Sequence, residues 1–165
     1  MITYRKATLN DLDEIIAVKN KVKEKVIEEN LPIWQNEYPQ DELIKEDIDN
    51  SFGRVIEVDG IIVSYATYHP ALYEYDKSTF PNDNVMSFGR VMTRTDQTKK
   101  GYASLLIEKM IEETKENNIP GLGILVDSFN QKALSIYLKH GFKYIGTNSF
   151  PWAVLDIYYL SFENE

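Results

Sequence analysis

The chain contains no cysteine. Disulfides, a thiolate nucleophile and cysteine-ligated zinc are therefore excluded. The composition fits a cytoplasmic setting. Residues Met1 to Lys6 lack the apolar stretch of a secretory signal. No apolar run approaches the ~20 residues that span a bilayer, so no membrane partner is expected. Positive charge is also short, with 18 Lys and Arg against 26 Asp and Glu and a net charge of -8. Such a surface repels phosphate backbones, and no nucleic-acid partner is expected. It would attract a cationic amine, although acidity of this size commonly serves solubility alone. No Pro/Gly/Ser-rich linker, low-complexity tract or internal repeat interrupts the chain. Its 165 residues suffice for one domain with its own core and are few for two, so residues 1–165 read as a single domain.

Residues 2–7 alternate as a first strand. Thr8 with Asp11 three residues later is a helix-start signal. The helix that follows carries Leu12, Ile15, Ile16, Val18 and Val22 on its apolar face, and residues 19–29 read as a solvated, charge-laced side. Residues 30–39, with Pro32, Trp34, Tyr38 and Pro39, read as a loop, and residues 41–49 as a second helix. Residues 54–58 and 61–65 are β-rich runs joined by Asp59-Gly60, which suits a two-residue hairpin turn. Residues 70–84 read as irregular and 85–93 as a strand. Residues 101–117 form a helix with Ala103, Leu106, Ile107, Met110 and Ile111 as its core stripe. Residues 122–126 are apolar apart from Gly123, as in a strand buried on both faces. A helix over 130–140 closes at Gly141, and residues 142–147 and 153–160 are final strands. The order is β-α-α-β-β-β-α-β-α-β-β. It is an α/β chain with a mixed sheet (α+β in its antiparallel parts) and a parallel crossover over 85–126.

The stretch that carries chemistry runs from Thr93 to Leu106, out of a strand, through a polar turn and into a helix. The first amides of a helix have no intrahelical partner and carry partial positive charge, which makes an anion site. Gly101 and Ala103 are small enough for a ligand to approach the backbone. Arg90, Arg94, Lys99 and Lys100 face only Asp96 over residues 90–103. Lysines at a helix start oppose its dipole by ~0.3–1 kcal/mol each, and a bound polyphosphate would reverse that. Taken alone, this stretch fits a solvated cationic turn equally well.

A second stretch, Asn130, Ala133, Tyr137, Gly141 and Phe142, follows the buried strand. Together the two stretches resemble motifs of the GNAT superfamily of acyl-CoA N-acyltransferases. The first is similar to that family's Arg/Gln-x-x-Gly-x-Gly/Ala pyrophosphate loop, the second to its Asn-x-x-Ala-x-x-x-Tyr-x-x-x-Gly-Phe segment. The resemblance covers nearly the whole chain and is strongest over residues 85–147.

That resemblance implies acetyl-CoA as cofactor and acetyl transfer to a primary amine by direct attack in a ternary complex. The acceptor would be a small-molecule amine or a peptide. It implies pairing of the cofactor arm with Val91, Met92 and Thr93, and a backbone N–H of Met92 or Thr93 that polarises the thioester carbonyl. It implies a pyrophosphate site at Thr98, Lys99, Lys100, Gly101, Tyr102, Ala103 and Ser104. Tyr137 becomes the general acid for the departing thiolate; from the residues alone it reads as a core tyrosine beside Ala133, Leu134 and Leu138. Asn130 and Ala133 would contact the cofactor, with helix capping by Asn130 the equal alternative. The family's strand glutamate is missing, because residues 85–93 contain no acid. His69, Asp127 and Glu57 are substitute bases, with His69 the leading one and a packing histidine its commoner reading. His140 reads as a favourable charge at a helix end. For the acceptor, Trp34, Tyr38, Tyr68 and Trp152 are candidates, with Tyr73 and Tyr75 nearby in sequence; the same aromatics would equally cap the core or form a homodimer contact. Transfer of another acyl group, or a non-catalytic acyl-CoA-binding module, are the alternatives. A nucleotide-binding protein is a weak third, since the loop lacks the glycine patterns such sites use.

Thr98 stands where the family carries Arg or Gln, which implies weaker cofactor binding. Thr98→Arg is expected to tighten acetyl-CoA binding in titration calorimetry, and an unchanged affinity would count against the motif alignment.

Overall fold

Asp59 and Gly60 both adopt positive φ, 50° and 84°, the geometry of a type I′ turn whose twist suits paired strands. The strands on either side pair antiparallel as expected. The computed structural model describes residues 1–34 and 37–163. Its strands are β1 (Ile2–Lys6), β2 (Gly53–Val58), β3 (Ile61–Pro70), β4 (Met86–Thr93), β5 (Gly121–Asp127), β6 (Lys143–Phe150) and β7 (Ala153–Ser161). Its helices are α1 (Leu12–Glu28), α2 (Asp41–Asp49), α3 (Ala71–Glu74), α4 (Tyr102–Glu116) and α5 (Gln131–Lys139). Short 3-10 turns cover Leu9–Asp11 and Thr95–Gln97. The strands run in the order β1-β2-β3-β4-β5-β7-β6. The mixed α/β reading holds. Three elements differ from expectation, one being β6, which runs on to Phe150 because residues 148–150 pair with β7. β3 continues to Pro70 because its second half is buried on both faces. Within residues 70–84, Ala71–Glu74 forms one helical turn, closed by Tyr75 N–H donating to the Ala71 carbonyl at 2.9 Å.

The chain forms two compact units. The first comprises residues 1–68 and 90–109, the second residues 69–89 and 110–165.

The first unit's core joins Ile15 and Val18 of α1, Ile44 and Ile48 of α2, Val55 of β2, Ile62 and Tyr65 of β3, and Met92 of β4. The expected start signal is a capping box: the Thr8 N–H donates to Asp11 Oδ2 at 2.7 Å. Lys19 departs from the solvated reading of residues 19–29. Its side chain is buried and its Nζ donates to Asp41 Oδ1 at 2.5 Å, so the charge is matched at the start of α2. Arg5 donates to both Asp11 oxygens, at 2.8 and 2.9 Å, and to Glu57 at 2.7 Å.

In the second unit β4 and β5 are parallel, paired at Met86↔Leu122 and Ser87↔Gly123. β5 pairs with β7 and β7 with β6, both antiparallel. β5 is buried from Gly121 to Val126, as the apolar run of residues 122–126, interrupted only by Gly123, predicts. Gly123 has a steric reason: a Cβ there would lie 2.1 Å from Phe80 Cε1. That ring stacks on Tyr159 with centroids 6.0 Å apart. Gly141, at φ 92°, ends α5 as expected. Among the described residues, no helix is long and apolar enough to cross a membrane.

Gly123→Ala should destabilise the protein by about 1–3 kcal/mol through overpacking against Phe80. The check is a lower urea midpoint at unchanged slope. The hydrogen bonds from Arg5 hold the Asp11 carboxyl below the usual carboxylate range, despite the opposing effect of burial. A carboxyl lowered on folding stabilises above its unfolded value, near pH ~4, and that contribution is lost as pH falls through the folded value. Asp11→Asn should therefore flatten the acid limb of stability against pH, measured by denaturation at successive pH values.

Candidate active site

The loop after β4 is shaped by backbone rather than side chains. The Arg94 N–H donates to the Val63 carbonyl at 2.8 Å, and the Gln97 N–H to the Arg94 carbonyl at 2.9 Å. Thr98 is extended, Lys99 turns to φ 66° and Gly101 to φ 82°. The first bond into α4 runs from the Leu105 N–H to the Gly101 carbonyl at 2.9 Å. Gly101 therefore occupies the cap position and has no side chain to accept from the amides of Tyr102, Ala103 and Ser104. A Cβ on Gly101 would meet nothing within 4 Å, so the backbone there borders open space. This arrangement fits a polyphosphate: donor amides, a glycine at the helix start and room for close approach.

The charge around the loop differs from the sequence reading. Arg90 does not belong to it. Its Nε and Nη2 donate to Asp47 Oδ2 and Oδ1 at 2.9 and 2.7 Å, and both side chains are buried. Arg94 donates to the Ile62 carbonyl at 3.2 Å and approaches Glu14 at 3.4 Å. Lys99 and Lys100, exposed beside the loop, are the cations left to meet an anion. They precede α4 rather than lie in its first turn. Lys100 Nζ also donates to Gln97 Oε1 at 3.1 Å.

On β4, Val91 and Thr93 are half-buried and Met92 is buried in the first unit's core. The Met92 carbonyl accepts from Ser64 Oγ at 2.9 Å, which fixes the strand at Met92.

In the second unit, Asn130 caps α5, its Oδ1 accepting from the Ala133 N–H at 3.3 Å. Among the described residues its Nδ2 has no partner. Tyr137 is buried, with its ring edge-on to Phe88 at 5.6 Å and tilted against Phe142 at 6.0 Å. Its hydroxyl makes no hydrogen bond among the described residues. Burial raises its pKa, which keeps the proton on the phenol. Leu138, expected beside it on the inner face, is exposed instead.

His69 is buried, with Nδ1 at 2.8 Å from the Pro70 carbonyl and Nε2 at 3.2 Å from Glu74. Each ring nitrogen thus faces an oxygen, an arrangement suited to packing more than to accepting a proton from a ligand. Asp127 Oδ1 accepts from the Phe129 N–H at 3.0 Å, and Glu57 is engaged by Arg5.

Among the acceptor candidates, Tyr68 is buried beneath the Arg54 guanidinium, 5.0 Å from the ring centroid, and offers no open face. Trp34 packs against the first unit's core. Tyr38 is 39% exposed, and its hydroxyl accepts from Arg90 Nη1 at 3.2 Å. Gln35 and Asn36 of the same loop lie outside the described residues. Trp152, in the second unit, is 74% exposed and stacks on Phe150 at 4.8 Å. Asp47 went unnoticed in the sequence. The signal that could have found it is an acid at the inward-facing position of α2, between Ile44 and Ile48.

A parallel strand–helix–strand unit, a bare glycine cap and a buried tyrosine on the next helix are the parts of an acyl-CoA transferase fold. Residues 20–142 match the family model described as Acetyltransferase (GNAT) family, and the chain belongs to that family. No curated protein matches the chain in sequence. Solved structures match in fold. A GNAT family acetyltransferase from Streptococcus agalactiae is 23% identical, with a TM-score of 0.83 over 99% of this chain and 96% of that one. The PaiA N-acetyltransferase of Thermoplasma acidophilum, solved with coenzyme A, is 19% identical, with a TM-score of 0.74 over 98% and 99%. An aminoglycoside acetyltransferase, also solved with coenzyme A, is 18% identical, with a TM-score of 0.77 over 98% and 95%.

Proposed function

We propose that this chain is an N-acetyltransferase that moves an acetyl group from acetyl-CoA to a primary amine, with residues 1–165 working as one domain. The observation that carries the reading is the start of α4 at Gly101, a cap residue without a side chain, open to a ligand and flanked by Lys99 and Lys100. Acetyl-CoA supplies the activated thioester. The amides of residues 98–104 would hold its pyrophosphate, and the Nδ2 of Asn130 is a donor suited to its arm. A backbone N–H of Met92 or Thr93, on a strand steadied by Ser64, would polarise the thioester carbonyl. The neutral amine would attack that carbonyl carbon as the carbon–sulfur bond breaks; Tyr137 would give its proton to the departing sulfur, the proton lost by the nitrogen would pass to solvent water, and solvent would restore the phenol. Burial keeps the phenol protonated, so the proton is in place before transfer. Of the four leading acceptor candidates, Trp34, Tyr38 and Trp152 are exposed or half-exposed and remain to meet the acceptor. The absence of an acid on β4 and the engaged nitrogens of His69 favour one second reading, a module that binds acyl-CoA without turnover.

Acetyl-CoA at about 100 times its dissociation constant should stabilise the protein by ~2.7 kcal/mol in thermal unfolding. No shift with any acyl-CoA would reject both readings. Thiol release with a panel of amines separates them. Tyr137→Phe should lower turnover roughly a hundredfold or more while acetyl-CoA affinity is retained; near-normal turnover would remove Tyr137 from the mechanism.

A further inference from the structure

The buried charged group that this chemistry leaves unused is the Asp47–Arg90 pair. Arg90 directly precedes Val91, yet its φ is 50°, a region that non-glycine residues seldom occupy inside a strand. That backbone is strained and persists where surroundings fix it. Here the surroundings are explicit. Asp47 receives Nε and Nη2 of Arg90 at 2.9 and 2.7 Å and the Tyr65 hydroxyl at 2.8 Å. The Arg90 and Asp47 side chains are 8% and 5% exposed, so each charge is matched and saturated on the buried side. The remaining nitrogen, Nη1, donates outward to the Tyr38 hydroxyl at 3.2 Å. Tyr38 belongs to the aromatic segment between α1 and α2. That segment is also gripped from α1, where Lys23 Nζ donates to the carbonyls of Trp34, at 3.3 Å, and of Tyr38. The lysine holds backbone; the arginine holds the ring that faces solvent.

We propose that Arg90, locked by Asp47, is a positioning residue that fixes Tyr38 and thereby sets how tightly the acceptor amine is held. The proposal rests on the transferase reading above. A guanidinium fork can span Asp47 and Tyr38 at once, whereas a lysine ammonium, a single point charge, cannot. Arg90 acts through Tyr38, so its loss should appear in the acceptor term and not in cofactor binding.

The test uses the full chain with Arg90→Lys and Tyr38→Phe, singly and combined. The donor is acetyl-CoA, and the acceptor is whichever of ribostamycin, ethylenediamine and an alanine-terminated peptide releases most thiol. Each single variant should raise the acceptor KM roughly tenfold, with kcat and the acetyl-CoA dissociation constant changed far less. The double variant should be no worse than the worse single one, because both remove one contact. Additive effects, or an unchanged KM in Tyr38→Phe, overturn the proposal. Amide hydrogen exchange gives a readout that needs no acceptor. Residues 31–34 and 37–40 should exchange faster in both single variants, with β1 to β3 unaltered; unaltered exchange in that segment also overturns it. Should Arg90→Lys fail to fold, Tyr38→Phe carries both measurements from its solvent-facing position. If the wild-type chain releases no thiol with any acceptor, the transferase reading fails by itself, and exchange alone decides whether Arg90 holds Tyr38.

Discussion

A buried carboxylate must be matched or it does not stay charged. Asp47 is matched on both oxygens, and the first unit is arranged around that requirement. The two donors on Arg90 come from β4, the third from Tyr65 on β3, and the carboxylate itself from α2. One ion pair thus ties a helix to two strands. It also fixes the backbone of β4 one residue before Val91, Met92 and Thr93. The proposed polarising amides inherit their placement from a contact that never touches the reacting atoms. Burial, and then the charge of Asp47, push the Tyr65 phenol well above its ordinary range, so it remains a donor to the carboxylate.

The loop of residues 98–104 depends on an opposite device. Gly101, at the cap position of α4, has no side chain to cap with and turns the backbone left-handed. A helix start whose cap residue offers no acceptor is a deficit in the folded chain alone. It becomes an asset once an anion supplies the missing acceptors. Asn130 at the start of α5 shows the contrast, since there the cap is internal and accepts from Ala133.

Most of the fold was legible because its signals are local. Asp59-Gly60 fixed a hairpin, Thr8 with Asp11 marked a helix start, and the apolar run after Gly121 marked a buried strand. The extension of β3 to Pro70 was not legible, because Tyr65, Thr67 and His69 are polar or amphipathic residues that tertiary burial alone holds in a strand. The turn proposed to hold the cofactor stood out by its glycine and lysines. The part misread was Arg90, counted as a loop cation when its partner lies 43 positions away on α2. No local pattern encodes which of several arginines turns inward. Tyr68 failed for the same reason: an aromatic in a strand looks the same in sequence whether it faces solvent or lies beneath Arg54.

The path of the chain through its two units has a consequence for biosynthesis. The first unit needs residues 90–109, and the second interrupts it with residues 69–89. During vectorial synthesis, α1, α2 and β1 to β3 emerge long before Arg90 does. Until then Asp47 lacks its guanidinium, and the apolar face of the early strands lacks Met92. The nascent chain must therefore carry an unfinished core and an unmatched carboxylate out of the ribosome, a state that invites chaperone contact and slows commitment to the native pairing.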